Sequence, residues 1–151
     1  MKFMLMLHLL GTVIWVGGMF FAHQVLRPVA AEQLEPPTRL TLWVGVFKRF
    51  FPWVWMSIVA ILASGLVMIS LLGGMGAQRL YVHAMLGLGL IMTAIFVFVF
   101  FVLFGRLKAS VAKQDWKAGA ASLADIRRLV GTNLLLGLAI IAIATAGAIL
   151  A

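Results

Sequence analysis

The sequence predicts an all-α protein: a bundle of four transmembrane helices, with both termini outside and two cytoplasmic loops that carry interfacial helices. Three observations predict it. Four uncharged runs, Phe3–Leu26, Phe50–Gln78, Leu80–Gly105 and Leu129–Ala151, each exceed the ~20 residues that cross a bilayer core. The chain is 64% hydrophobic and 11% charged, with a mean hydropathy of +1.15, whereas a soluble domain is about half apolar and a quarter charged. The bases are also unevenly placed: of 12, only Lys2 and Arg79 lie beside the termini and the short middle turn, and the rest fall in the two long loops. By the positive-inside rule those loops face the cytoplasm.

Taken in order, the first span (about 3–26) follows Met-Lys as a signal peptide would. It outlasts the usual apolar core of one and has no small-x-small cleavage site, so it reads as a retained helix. Pro28, then Pro36-Pro37, are expected to end it. Thr38–Phe51, apolar with scattered bases, reads as an interfacial helix entering the second span (about 50–72) near Pro52. Gly73, Gly74, Gly76 and Arg79 make the tight turn of a helical hairpin into the third span (about 80–105). Asp115 is expected to N-cap a helix that continues through Asp125–Arg128 into the fourth span (129–151). Trp43, Trp53, Trp55 and Trp116 fit an aromatic belt on the cytoplasmic side. The chain, 1–151, reads as a single membrane domain with a weak internal repeat. Each half starts with a histidine-bearing helix (His8, His83), and a basic pair (Lys48-Arg49, Arg127-Arg128) precedes its second helix.

Composition excludes several classes of function. Without cysteine there are no disulfides, thiolate metal sites or iron–sulfur clusters. The net charge of +8 sits beside the spans, where topology and anionic lipid account for it, so the partner is the lipid bilayer and not nucleic acid. No carboxylate lies in any span, which leaves hard metal ions without ligands. No nucleophile–base pair or phosphate loop is present. If there is turnover, it is that of a haem-dependent membrane oxidoreductase whose chemistry comes from its cofactor.

Candidate site residues cluster on the first and third spans. His8, Gly11, Trp15 and Gly18 fall on one helical stripe, and ionisable residues inside a membrane default to function. At 1.5 Å per residue, His8 lies roughly 9 Å past Lys2 and His83 roughly 6 Å past Arg79, at comparable depth. Two imidazoles at one level make an axial pair for haem b. Gly11, Gly18, Gly87 and Gly89 would give flat walls, and Arg79, with Lys2, would meet the propionates. Copper is the competing cofactor, since Met4 and Met85 near the two histidines are soft ligands for Cu(I). His23, at the opposite end of the first span, reads as structural. Arg49 and Arg128 read as lipid anchors or as partners of a quinone headgroup. Ser57, Ser64, Asn133 and Gly137 read as interhelical hydrogen bonding and close packing.

The segments LHLLGTVIWVGGMFFAHQVLRP, KRFFPWVWMSIVAILASGLVM, LYVHAMLGLGL and RRLVGTNLLLG resemble the short bacterial CopD-like membrane proteins over nearly the whole chain. The most specific parts are His8, Trp15, Gly17 and Gly18, then Arg49-Phe50, then His83. The first helix is also similar to HemJ-type protoporphyrinogen oxidases, four-helix b-type haem proteins, through His8, Trp15 and Gly18. The chain departs from their pattern at Val25-Leu26-Arg27-Pro28, so that activity does not carry over. The resemblance implies a multi-pass protein of the bacterial inner membrane. It would be a b-type cytochrome exchanging electrons with quinol or a periplasmic partner. A copper transport or homeostasis protein is the alternative, and a cofactor-free structural or assembly subunit is another; a homo-oligomer and a separate redox partner both fit.

Overall fold

The computed structural model describes residues 1–149, so the last two residues of the expected fourth span lie outside it. Four helices are long and apolar enough to cross a membrane: α1 (Lys2–Gln33), α2 (Pro36–Leu71), α3 (Leu80–Ala112) and α4 (Trp116–Ile149). Among the described residues there is no strand.

The helices are longer than the apolar runs that predicted them. The 36 residues of α2 rise about 54 Å, against a bilayer core of about 30 Å. Thr38–Phe51 is therefore not a separate interfacial helix. It is the first half of α2, and its inward stripe Leu40, Trp43, Phe47 and Phe51 is buried. Packing against α3 and α4 holds this stretch in line with the span, and Pro52 lies inside the continuous helix.

Pro28 likewise does not end the first helix. A π-helical turn over Phe21–Leu26 precedes it, and helix resumes through Arg27–Gln33. Pro28 has no N–H for the carbonyl four residues back and its ring crowds that carbonyl; a wider turn placed there absorbs both defects. The chain breaks instead at Leu34, which is extended ahead of the Pro36-Pro37 pair. A second π turn, Val99–Leu103, shifts the inward stripe of α3 by one residue. Met92, Phe96, Val99 and Leu103 are then followed on the buried side by Phe104 and Leu107.

Both hairpin turns close by the same geometry. After α2, Gly74 N–H returns to Ile69 O at 2.9 Å, with Gly73 at φ 93°, a C-terminal cap that requires a left-handed residue. After α3, Asp115 N–H returns to Ser110 O at 2.9 Å, and the left-handed position is filled by Gln114 at φ 57°. Asp115 then caps α4 as its sequence position predicts, its Oδ1 accepting Ala118 N–H at 3.1 Å. Asp115→Ala is expected to lower stability by about 1 kcal/mol, measured by denaturant titration in detergent.

α1 packs along α2 and α3 along α4; α1 also meets α4, and α2 meets the last turns of α3. Glycines set the closest approaches. A methyl on Gly11 would press on Ile61 and on the Ser57 carbonyl, and one on Gly18 would run into the Phe50 ring. Small residues let membrane helices approach this closely.

The core runs through the middle and the basic end of the bundle as linked aromatic rings. Phe51 stacks on Phe47 at 5.0 Å and meets Phe96 and Phe104 edge-on at 5.3 and 5.1 Å. Trp55 packs on Phe96 and Phe100. Of the tryptophans expected in a surface belt, Trp43 is buried, Trp55 and Trp116 pack against the core, and Trp53 is exposed.

Candidate functional site

At the end of the bundle that carries the termini, the first halves of α1 and α3 separate. The space between them is a cavity of about 320 Å³. Deeper in the bundle the two helices come together again, where Trp15 lies edge-on to Phe96 at 6.4 Å. The cavity is walled by His8, Thr12 and Trp15 from α1, by Ile61, Gly65 and Met68 from α2, and by Tyr81, Met85, Gly89 and Met92 from α3. Gly137 and Ile140 of α4 close the back, and Gln78 lies across the top. Gln78 is fixed there by donating to the carbonyls of Leu72 and Gly74, each at 3.1 Å.

The position of His8 follows from α2. Its Nδ1 lies 3.1 Å from the Ile61 carbonyl and 3.1 Å from Ser64 Oγ. Ser64, itself buried, has one hydroxyl proton, and that proton is directed to the carbonyls of Ala60 and Ile61 in its own helix. Both groups facing Nδ1 are therefore acceptors, and the hydrogen-bond network assigns the proton to Nδ1. Nε2 is left with its lone pair. A histidine whose Nδ1–H is held by a carbonyl is oriented as a metal ligand through Nε2. Gly65 lies beside the imidazole, where a methyl would meet His8 Cε1 at an ordinary contact distance of 3.4 Å.

The structure brings together some of the expected site residues and separates others. His8, Trp15, Gly89 and Met85 line the cavity. Gly11 and Gly18 lie on the expected stripe of α1, but they serve the contact with α2. His83, Arg79 and Gly87 are exposed and outside the cavity, with His83 Nδ1 3.2 Å from the Arg79 carbonyl. Met4 and Lys2 do not line it either. The reason is the rotation of α3. Tyr81, Met85, Gly89 and Met92 recur at helical spacing on the inward face, which turns His83 and Gly87, two residues out of phase, to the other side. His8 lines the cavity and His83 does not share it.

Sequence reasoning missed Met68 and Met92, which join Met85 in the wall. Their signal was faint. Met68 stands four residues after Ser64, on the same face of α2, while Met92 follows Met85 by two turns. Asn133, expected to bond between helices, does so through Nδ2 to the Met92 carbonyl at 3.0 Å. That bond pins α4 to the floor of the cavity. Among the described residues no group of three or more His, Cys, Asp or Glu comes together. The donors gathered here are one imidazole and three thioethers.

Residues 44–147 match the family described as copper resistance protein D. The matched stretch includes Ser64 and the three cavity methionines; His8 and the first helix, where the similarity to haem proteins was read, precede it. No curated protein and no solved structure matched the chain. With four membrane-crossing helices and a match over more than half of its length, the chain belongs to the copper resistance protein D (CopD) family of multi-pass membrane proteins.

Proposed function

We propose that the protein handles copper in the membrane, taking Cu(I) as its cargo in the cavity between α1 and α3. The observation that carries this reading is the convergence of His8 with Met68, Met85 and Met92 on one apolar space. Imidazole nitrogen and thioether sulfur are ligands that select Cu(I) over harder ions. This donor set keeps His8 and Met85 from the sequence-based copper reading and replaces Met4 and His83 with Met68 and Met92. Ser64 and the Ile61 carbonyl would act as the outer partners that orient His8.

Haem b is the second reading, with electrons exchanged with quinol or an external partner. It is supported by His8, which lines an apolar cavity while its Nδ1 is held by the Ile61 carbonyl. It is weakened by the exposure of His83 and Arg79, which leaves the cavity with a single imidazole and no cation for the propionates. The charge distribution supports an orientation with the termini and the cavity outside.

One experiment separates these readings: metal analysis and an absorption spectrum of protein purified from copper- and haem-replete cells. Stoichiometric copper without a Soret band is expected. A Soret band that shifts on dithionite reduction, with no copper, would overturn the copper assignment in favour of haem. Absence of both would leave a structural or assembly role.

A further inference from the structure

The opposite, basic end of the bundle holds a second cavity of about 320 Å³. Arg27 of α1, Arg39 of α2 and Arg127 of α4 line it together with His23. Three guanidinium groups thus approach one space from three helices. Among the described residues none of them has a carboxylate within ion-pair distance; the ion pair that is present joins the neighbouring Arg128 to Asp125 at 3.8 Å. Like charges gathered over a partly apolar wall repel one another unless an anion lies between them. Gly131 leaves room for the His23 ring on the wall, and Arg39 Nη1 lies 3.5 Å from the Ala31 carbonyl at the rim.

We propose that this cavity binds a phosphate group, and specifically the phosphate of an anionic membrane lipid. Guanidinium forks bind phosphate oxygens in bidentate fashion. Arg27 and Arg127 flank the ends of the first and fourth apolar runs, the level at which headgroups lie. On the membrane side of the arginines Ala22, Phe47 and Val130 continue the cavity as an apolar wall, which an acyl chain would use and a free phosphate would not. Arg49 and Arg128, the bases that sequence alone assigned to headgroups, are exposed and outside this cavity.

The test is native mass spectrometry of the full chain released from nanodiscs of phosphatidylcholine with phosphatidylglycerol. Wild type is expected to retain phosphatidylglycerol in preference to phosphatidylcholine. Arg27→Gln/Arg39→Gln/Arg127→Gln is expected to retain about tenfold less, since charge-assisted bonds to the headgroup are lost. Ala31→Glu keeps all three arginines and sets a carboxylate on the cavity wall; the same loss is expected there, with helicity by circular dichroism unchanged. Lys113→Gln/Lys117→Gln, outside the cavity, is expected to behave as wild type. A parallel melt in neutral detergent uses inorganic phosphate alone. Stabilisation there that Ala31→Glu abolishes, without lipid retention, would assign the same arginines to a soluble phosphate. Wild-type retention in the folded Ala31→Glu protein, or equal losses in the Lys113/Lys117 control, would overturn the site.

Discussion

His8→Ala is expected to lower Cu(I) affinity by about 100-fold or more, and His83→Ala to leave it unchanged. Competition titration against a Cu(I) chelator in detergent measures both. The asymmetry follows from placement: His8 lines the cavity and is oriented from α2, whereas His83 is exposed and outside it. Ser64→Ala is expected to give an intermediate result. The Ile61 carbonyl still holds Nδ1–H, so the loss is about tenfold, within the range for outer partners of a metal-binding histidine. Equal, large losses in His8→Ala and His83→Ala would restore the two-histidine arrangement and sink the cavity site.

Phe51→Ala has the largest expected effect on stability. Phe51 is only 3% exposed and touches Phe47, Phe96 and Phe104 with centroids 5.0 to 5.3 Å away. Truncation leaves a void between α2 and α3 that no neighbour fills. Soluble cores lose about 3–5 kcal/mol for such a change; a value near 3 kcal/mol is expected here, because lipid competes for apolar surface and packing carries more of the balance. Trp53→Ala, two residues along α2 on the opposite face at 54% exposure, should change stability by less than about 0.5 kcal/mol. Unfolding of the two variants in mixed detergent micelles compares them directly. Similar, small effects would return both aromatics to a membrane-surface role.

Much of the fold was legible because lipid imposes strict rules on sequence. A run that must satisfy its own backbone in hydrocarbon can only be helical, and its length sets the number of crossings. Local chemistry was legible too: Asp115 at the start of α4 and Gly73 at the end of α2 each do what their residue types favour. The proline reading failed at Pro28 because a π turn upstream relieved the defect. The interfacial reading of Thr38–Phe51 failed because Trp43, Phe47 and Phe51 are buried in the core and hold that stretch in line with the span. The tryptophan belt failed for a related reason: composition shows that an aromatic is near an interface, but not whether it faces lipid or protein.

The sequence by itself determined the four crossings, the hairpin turns, the basic end and His8 as the candidate histidine. Only the tertiary structure decided which faces turn inward, and with that the membership of the site. α3 is apolar all round, so no amphipathic signal distinguishes the face bearing His83 from the face bearing Met85 and Met92. Its rotation is set by contacts that no single segment contains. One is the bond from Asn133 to the Met92 carbonyl. Others are the bare backbone of Gly137 beside Val16 and Met92, and that of Gly147 beneath Tyr81. In a membrane, where water does not sort one side of a helix from the other, that packing selects the residues that line the cavity.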